Sequence, residues 1–361
     1  MAKERIGVKE LSALIILFEL GTALVIPIGF AAGQNVWVSI LLALIGGILL
    51  FLLYNYFAIR YPGLSFSLYT QKILGKYIGW AISLLYIPLF IYIAARDLRE
   101  AGGLLFSTYD RTPLFAINAL MMFAVIFTVK KGIEVLARMA EIYLIIMIVL
   151  GVLGNIFVLV SGIIEPKNLL PLFPHGLKPI LTTAYPNILI FPFGEMVCFT
   201  TILPYLNKPQ LGKKTGVVAL IFTGILLSWT HALEISVLGV EMYSRATFPL
   251  FVTISKVNIA DFLQRLDPIV ILALIIGVFF KISIYCFAAI NVAAHLFKIE
   301  EPNKLVLPTG IIILFLSILI AINAIEHLEE GAFIIRYILP IFCVGIPIIL
   351  FVVDLIRKRF G

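Results

Sequence analysis

The chain has 361 residues, of which 62% are hydrophobic and 13% charged, with a mean hydropathy of +1.11. A soluble domain could not bury that much apolar surface, so the composition excludes a soluble globular protein and favours an integral membrane protein. The formal net charge is +7. In a membrane protein this excess indicates cytoplasmic lysine and arginine facing anionic lipid, with no nucleic-acid partner.

Ten apolar runs are each roughly long enough to span a bilayer, which takes about 20 residues. In chain order they are 11–32, 38–59, 78–106, 113–129, 139–162, 180–205, 215–238, 269–297, 305–325 and 334–356. Because lipid offers no partner for unpaired backbone groups, each run is predicted to be helical. The sequence therefore predicts an all-α integral membrane protein with a single transmembrane domain over 1–361.

The distribution of basic residues predicts the topology. With the N-terminus inside, 17 lysine and arginine residues fall in inside segments and seven in outside segments. The positive-inside rule then places both termini in the cytoplasm. Two outside segments, 163–179 and 239–268, are longer than simple turns. In the second, apolar residues such as Phe248, Phe251 and Phe262 alternate with polar ones, which predicts an amphipathic helix at the membrane interface.

The first and sixth spans share an interruption, apolar-Pro-apolar-Gly. It reads Ile26-Pro27-Ile28-Gly29 in the first and Phe191-Pro192-Phe193-Gly194 in the sixth. Proline removes a backbone donor and glycine loosens a helix further. Broken helices at corresponding places of two inverted halves point to a transporter-type binding site, here with halves of about 11–162 and 180–356. The alternative is that these prolines merely kink two helices.

Charged side chains within spans need partners, because each is costly in lipid. Glu19 precedes the first break, Glu195 follows the second, and Lys281 lies deep in span 8. Our hypothesis is that Lys281 supplies a fixed cation near one of these carboxylates; the alternative is a purely structural salt bridge. A separate ion-pair network is expected near the outer end of span 3, formed by Arg96, Asp97, Arg99 and Glu100.

A candidate ligand site surrounds the two breaks, where half-helix N-termini would attract an anionic group such as a carboxylate. Its candidate residues are Gly21, Thr22, Ala23, Pro27, Tyr92, Phe191, Phe193, Gly194, Glu195, Ser283 and Tyr285, with Glu19 and Lys281 as an ion-pair or coupling set. The polar members could equally hold helices together. No metal, cofactor or enzymatic activity is expected, because the sequence contains no zinc-type cysteine spacing and no nucleophile–base motif.

Several motifs resemble known families. Gly21-Thr22-Ala23 resembles the Gly-Ser/Thr-Gly opening of the amino acid–polyamine–organocation transporters, although Ala23 stands where a second glycine is usual. Its methyl group narrows the approach to the backbone amides. The loop 170–179 with 191–195, the motif Lys131-Gly132-Ile133-Glu134, and Arg265-Leu266-Asp267-Pro268 resemble the B subunits of bacterial spore germinant receptors, the GerAB type. The resemblance covers the whole chain.

The resemblance implies a LeuT-like 5+5 inverted repeat in the spore inner membrane, with a nutrient germinant, often an amino acid, bound near the breaks. It also implies an A-type membrane subunit and a C-type lipoprotein subunit as partners. In sodium-coupled relatives of this architecture spans 1 and 8 hold a sodium ion, which Lys281 could replace. The alternatives are a proton-coupled amino acid transporter using Glu19 or Glu195, and a ligand-gated water or ion path.

Overall fold

A computed structural model describes residues 4–109, 111–174, 176–259 and 266–360. The predicted motifs at His175 and at 260–265 therefore lie partly or wholly outside the described residues, as does Phe262. The described part of the chain is mostly helical, and an isolated parallel bridge pairs Ile6 with Leu206. That bridge joins the N-terminal segment to the end of span 6, where the Ile6 amide donates to the carbonyl of Tyr205.

The described residues form thirteen α-helices, joined in places by short 3₁₀ and π-helical stretches. They are α1 (Val8–Leu20), α2 (Val36–Arg60), α3 (Phe66–Leu74), α4 (Lys76–Thr108), α5 (Leu114–Val129), α6 (Ile133–Val160), α7 (Lys178–Thr182), α8 (Pro209–Arg245), α9 (Pro249–Ser255), α10 (Asp267–Phe297), α11 (Val306–Leu319), α12 (Ala324–Phe333) and α13 (Ile346–Phe360). Between α12 and α13 the last span continues through two short π-helical stretches.

Within the described residues, seven helical stretches are long and apolar enough to cross a membrane. They are Phe30–Arg60, Lys76–Thr108, Ile133–Val160, Pro209–Arg245, Asp267–Phe297, Pro302–Leu319 and Ile325–Lys358. The apolar helix α5 is an eighth, although it is shorter. The two predicted spans that remain, the first and the sixth, are missing from this set because each is broken. The prediction of ten spans with the first and sixth interrupted is therefore confirmed.

The first break begins at Gly21, where α1 ends with φ 13° and ψ −121°. The chain continues in turns and then without regular structure to Gly29, and a 3₁₀ helix, Phe30–Asn35, follows. Gly29 has a φ of +63°, and a Cβ at this position would lie 2.6 Å from Cδ1 of Ile188. Only glycine fits here, because the backbone conformation is left-handed and the other broken span packs directly against it.

The sixth span is broken in the predicted place. From α7 it continues as a π-helical stretch, Thr183–Ile188, turns at Phe191 and Pro192, and resumes as a 3₁₀ helix, Phe193–Thr201. Proline at the turn cannot donate the hydrogen bond that would continue the helix. This places the residues on either side of the turn in separate half-helices.

The central helix of the bundle is α10, whose spanning part is the most buried of the seven. It packs against α1, α4, α6 and the 3₁₀ helix of span 6. On another side, α8 packs along α1 and α2 and bends at Gly239, where φ is +70°. The predicted interfacial helix after α8 is only seven residues long in the structure, namely α9, which begins with Pro249.

Candidate ligand site

A buried ion cluster joins three of the spans. The ammonium of Lys281, from α10, lies 2.7 Å from Oε2 of Glu195 and 3.4 Å from Oδ1 of Asp97. Glu195 belongs to the second half of the broken sixth span and Asp97 to α4. The three side chains are between 1% and 5% exposed. A buried charge is tolerated only when it is paired, so each of these groups depends on the others.

The first break completes the cluster through Thr22. Its hydroxyl accepts a hydrogen bond from the Lys281 ammonium at 3.2 Å and donates one to Asp97 Oδ1 at 3.3 Å. Gly21 makes this approach possible, because a Cβ at that position would lie 2.8 Å from Cδ of the lysine. Gly277 of α10 also permits the close approach, because a Cβ at that position would lie 2.9 Å from the Cα of Gly21. Two glycines therefore bring the break against α10.

Aromatic rings enclose the ammonium. The Lys281 Nζ lies 4.5 Å from the ring centroid of Phe191, at the second break, and 5.7 Å from that of Phe18. Both distances are within the range of a cation–π attraction. Phe18 in turn packs on Tyr285, with ring centroids 5.2 Å apart. The rings exclude water from the cation and strengthen its attraction to the two carboxylates.

A cavity of about 290 Å³ opens beside the cluster. Its wall is formed by both breaks (26–31 and 183–195), by the face of α4 that carries Asp97, and by the last span between 328 and 339. Three of the predicted ligand residues line it, namely Pro27, Phe191 and Glu195. The cavity therefore touches both broken spans and two members of the ion cluster.

The other predicted residues lie behind this wall. Phe193 is buried against Gly47 of α2, and a Cβ added to that glycine would lie 2.6 Å from the Cβ of Phe193. The carbonyl of Gly194 accepts a hydrogen bond from the hydroxyl of Tyr54 at 3.3 Å. Ala23 is fully buried as well. These residues hold the breaks in place and do not reach the cavity.

Several buried polar atoms in this region make no hydrogen bond within the described residues. They include both carboxyl oxygens of Glu19, one oxygen each of Asp97 and Glu100, and the hydroxyls of Tyr92, Ser283 and Tyr285. A buried polar atom without a partner costs about 1–3 kcal/mol. Asp97 and Glu100 line the cavity, and Asp97 also belongs to the ion cluster, so its free oxygen is well placed to meet a ligand.

Asp97 is the site residue that sequence reasoning misplaced. The sequence assigned it to an outer network with Arg96, Arg99 and Glu100. In the structure Arg96 and Glu100 do pair, at 3.4 Å, whereas Asp97 faces Lys281. Residues four apart share one face of a helix, while the next residue is turned by about 100°. The helical spacing alone could therefore have separated Asp97 from this pair.

The outer network includes partners from α12 that the sequence did not indicate. Arg96 forms an ion pair with Glu330 and donates to the carbonyl of His327 at 3.2 Å. The ring of His327 lies 3.3 Å from the carboxylate of Glu100. Arg99 instead donates to the carbonyl of Ile322 at 3.4 Å. This network ties α4 to the last span at the edge of the cavity.

Two interrupted spans that meet at a cavity, with a charged cluster between them, define a membrane protein of the transporter-type fold. Comparison with solved structures agrees. The chain superposes on MhsT in complex with L-phenylalanine with a TM-score of 0.69, 18% identity, and coverage of 94% of this chain and 87% of that one. It superposes on Mhp1, a nucleobase-cation-symport-1 family transporter, with a TM-score of 0.67, 14% identity, and coverage of 92% and 75%. At these identities the likeness shows the LeuT-like fold alone.

The sequence comparisons are more specific. The family described as "Spore germination protein" matches residues 5–325. Over 361 aligned residues the chain is 42% identical to spore germination protein KB of Bacillus subtilis (strain 168), covering 99% of this chain and 97% of that protein. The chain belongs to the spore germination protein family. The resemblance found in the sequence and the predicted fold class are thereby confirmed.

Proposed function

We propose that this protein is the ligand-sensing membrane subunit of a spore germination receptor. A small molecule, such as an amino acid, binds between the two breaks, and its binding is signalled to partner subunits. The observation that carries the proposal is the cavity of about 290 Å³, which touches both broken spans and the ion cluster. Its volume is near the lower end of small-molecule sites, which run from about 300 to 1,000 Å³.

The arrangement suggests how binding becomes a signal. A ligand can shift a conformational equilibrium only by binding one state better than another. Pro27 and Phe191, which belong to the breaks of different spans, both line the cavity. A ligand held between them favours the conformation in which the two breaks are at this separation. A shift of this kind moves the outer ends of the spans relative to the rest of the bundle.

The partners and the location follow from the family resemblance and from the charges of the sequence. We propose an A-type membrane subunit and a C-type lipoprotein subunit as partners, in the bacterial cell or spore inner membrane. Both termini lie in the cytoplasm in this proposal, because the basic residues are concentrated on that side.

Lys281 supplies the fixed cation of the site in this proposal. Its ammonium already neutralises Glu195 and contacts Thr22 of the first break. A sodium ion is then unnecessary for holding spans 1 and 8 together. Ligand binding is expected to be equally tight in sodium and in choline buffers, and a dependence on sodium would rule out this role of the lysine.

The experiment is reconstitution of the purified protein in liposomes, with uptake of a labelled amino-acid panel measured with and without a proton gradient. Binding is measured in parallel by thermal shift. We expect binding without accumulation, and we expect Phe191→Ala to weaken binding while the matched variant Phe123→Ala does not, because Phe123 is 71% exposed at the protein surface. Accumulation above equilibrium would instead show a coupled transporter.

A further inference from the structure

A second buried polar cluster lies on α8, outside the cavity wall. His231 and Glu234 are completely buried, and Tyr243 is 1% exposed. The cluster reaches the interrupted first span at two points. His231 Nε2 lies 3.1 Å from the carbonyl oxygen of Ala23, and the hydroxyl of Tyr243 donates to the carbonyl of Ile28 at 3.0 Å. Both carbonyls belong to the non-helical segment, where no regular helix supplies their partners.

Donors and acceptors in this cluster can be counted. A carbonyl oxygen only accepts, so Nε2 of His231 must carry a hydrogen. The phenol of Tyr243 has one proton, which is used toward Ile28, so its oxygen can only accept from the other ring nitrogen. That nitrogen, Nδ1, lies 2.9 Å from the phenol oxygen and 2.9 Å from Oε2 of Glu234. Both contacts are favourable together when Nδ1 also carries a hydrogen.

The pair of His231 and Glu234 therefore holds one proton more than a neutral imidazole beside a carboxylate. The proton can be drawn on the imidazole or on the carboxyl group, and the pair is electrically neutral in either case. Without this proton only two donors remain for the cluster, one N–H and one O–H. If the N–H moves to Nδ1 to meet Glu234, the carbonyl of Ala23 is released. If the phenol turns to Nδ1, the carbonyl of Ile28 is released.

We propose that His231 and Glu234 form a proton-binding site whose occupancy holds the non-helical segment of the first span in place. Loss of the proton removes one of the two hydrogen bonds that α8 makes to this segment. The coupling is reciprocal, so any event that pulls the segment away from α8 also lowers the affinity of the pair for its proton. The segment contributes to the cavity wall, but the proton site does not depend on the identity of the ligand.

The described charged groups on the elements that pack around α8 make no direct contact with His231 or Glu234. They are Lys9, Glu10 and Glu19 on α1, Arg60 on α2, Glu165 and Lys167 at the turn Pro166–Leu169, Lys256 after α9, and Lys213, Lys214, Glu241 and Arg245 on α8 itself. Glu165 pairs with Lys167 at 3.0 Å and Glu241 with Arg245 at 2.9 Å, while Arg60 pairs with Asp354 at 3.7 Å. Within the described residues, none of these forms an ion pair or hydrogen bond with the histidine or its glutamate.

The test uses the full chain in lipid nanodiscs with a spin label at Ala31→Cys. Ala31 is exposed just beyond the segment, and the three native cysteines are buried. Label mobility is measured from pH 5 to pH 10. In the otherwise unchanged protein we expect one transition to higher mobility as pH rises, with the ratio of mobile to immobile label changing tenfold per pH unit, because a single proton is lost.

Two glutamate variants test whether the proton bound by His231 and Glu234 causes the transition in label mobility. Glu234→Gln is isosteric, and its amide can donate to Nδ1 of a neutral His231 while Nε2–H stays on the first span, so mobility should remain low at every pH. Glu241→Gln makes the same change at an exposed position of α8 and should titrate like the parent protein. A label that does not respond to pH in the parent protein would overturn the proposal. An unchanged transition in Glu234→Gln would overturn it equally.

Tyr243→Phe provides a third measurement should Glu234→Gln fail to fold. It removes the bond to Ile28 but leaves the proton pair and its bond to Ala23. We expect a higher mobility of the label at low pH, with the transition retained. If this variant were as immobile as the parent protein at low pH, the hydroxyl would not be holding the segment, and the proposal would fail.

Discussion

Replacement of Lys281 by methionine tests the ion cluster directly. The ammonium lies 2.7 Å from Glu195 and 3.4 Å from Asp97. At an effective dielectric constant of 20, Coulomb's law gives about 6 and about 5 kcal/mol of attraction for these distances. The desolvation of three ions offsets most of this gain. Removing one partner from such a buried group costs about 3–5 kcal/mol, because the remaining charges are left uncompensated.

The loss can be measured as thermal unfolding in detergent. With about 2.1 cal/mol/K of unfolding entropy per residue, a cost of 3–5 kcal/mol corresponds to a fall in Tm of roughly 4–7 °C. The matched control is Lys304→Met. Lys304 forms an ion pair with Glu301 at 3.1 Å, but both side chains are more than 60% exposed. That variant should change stability by less than about 0.5 kcal/mol.

The refuting experiment is a rescue. Lys281→Met combined with Glu195→Gln and Asp97→Asn leaves a neutral cluster that needs no cation. Neutral replacement of a buried ion group is often tolerated without loss, so the triple variant should regain most of the stability. If it were no more stable than the single variant, methionine would have acted by poor packing, and the account of the cluster as an electrostatic unit would be wrong.

Two further changes probe the backbone and the outer network. Gly21→Ala should lower the stability of the fold by about 1–3 kcal/mol through overpacking, because the new Cβ would lie 2.8 Å from a neighbouring atom, and it should weaken ligand binding. The control is Gly103→Ala, where nothing lies within 4 Å of the new Cβ. In a thermal-shift assay that variant should be neutral or slightly stabilising. Arg96→Gln breaks the ion pair with Glu330 and should speed hydrogen exchange in α12 by about tenfold, a cost of about 1.4 kcal/mol. The control is Arg245→Gln, which breaks the exposed ion pair between Arg245 and Glu241 and should leave the hydrogen exchange of α12 unchanged.

The overall fold could be read from the sequence because lipid restricts what the chain can do. A span must be helical and apolar for a fixed length, so the ten runs were visible directly. The two breaks could also be predicted, because Pro27 and Pro192, with the glycines after them, disfavour a helix within otherwise continuous apolar spans. Lys281 was identified because a charge at that depth needs a partner.

The pairing of the charges could not be read in the same way. The sequence shows that Lys281 needs a carboxylate but not which one, because that depends on how α10 is rotated against α4 and the sixth span. The structure selects Glu195 and adds Asp97. The role of His231 was missed, although a histidine and a glutamate three residues apart within an apolar span was a signal of the same kind.

The non-helical segment 21–29 is where these features meet. At its beginning Thr22 is held by Lys281 and Asp97, the charged groups beside the cavity. Further along, its carbonyls are held by α8 through His231 and Tyr243. A helix satisfies its own backbone, whereas this segment takes its partners from three other helices, α4, α8 and α10, and each of them presents ionisable groups. Its position is therefore set by charge as well as by packing, and a change of charge on either side, by ligand or by proton, acts on the same few residues.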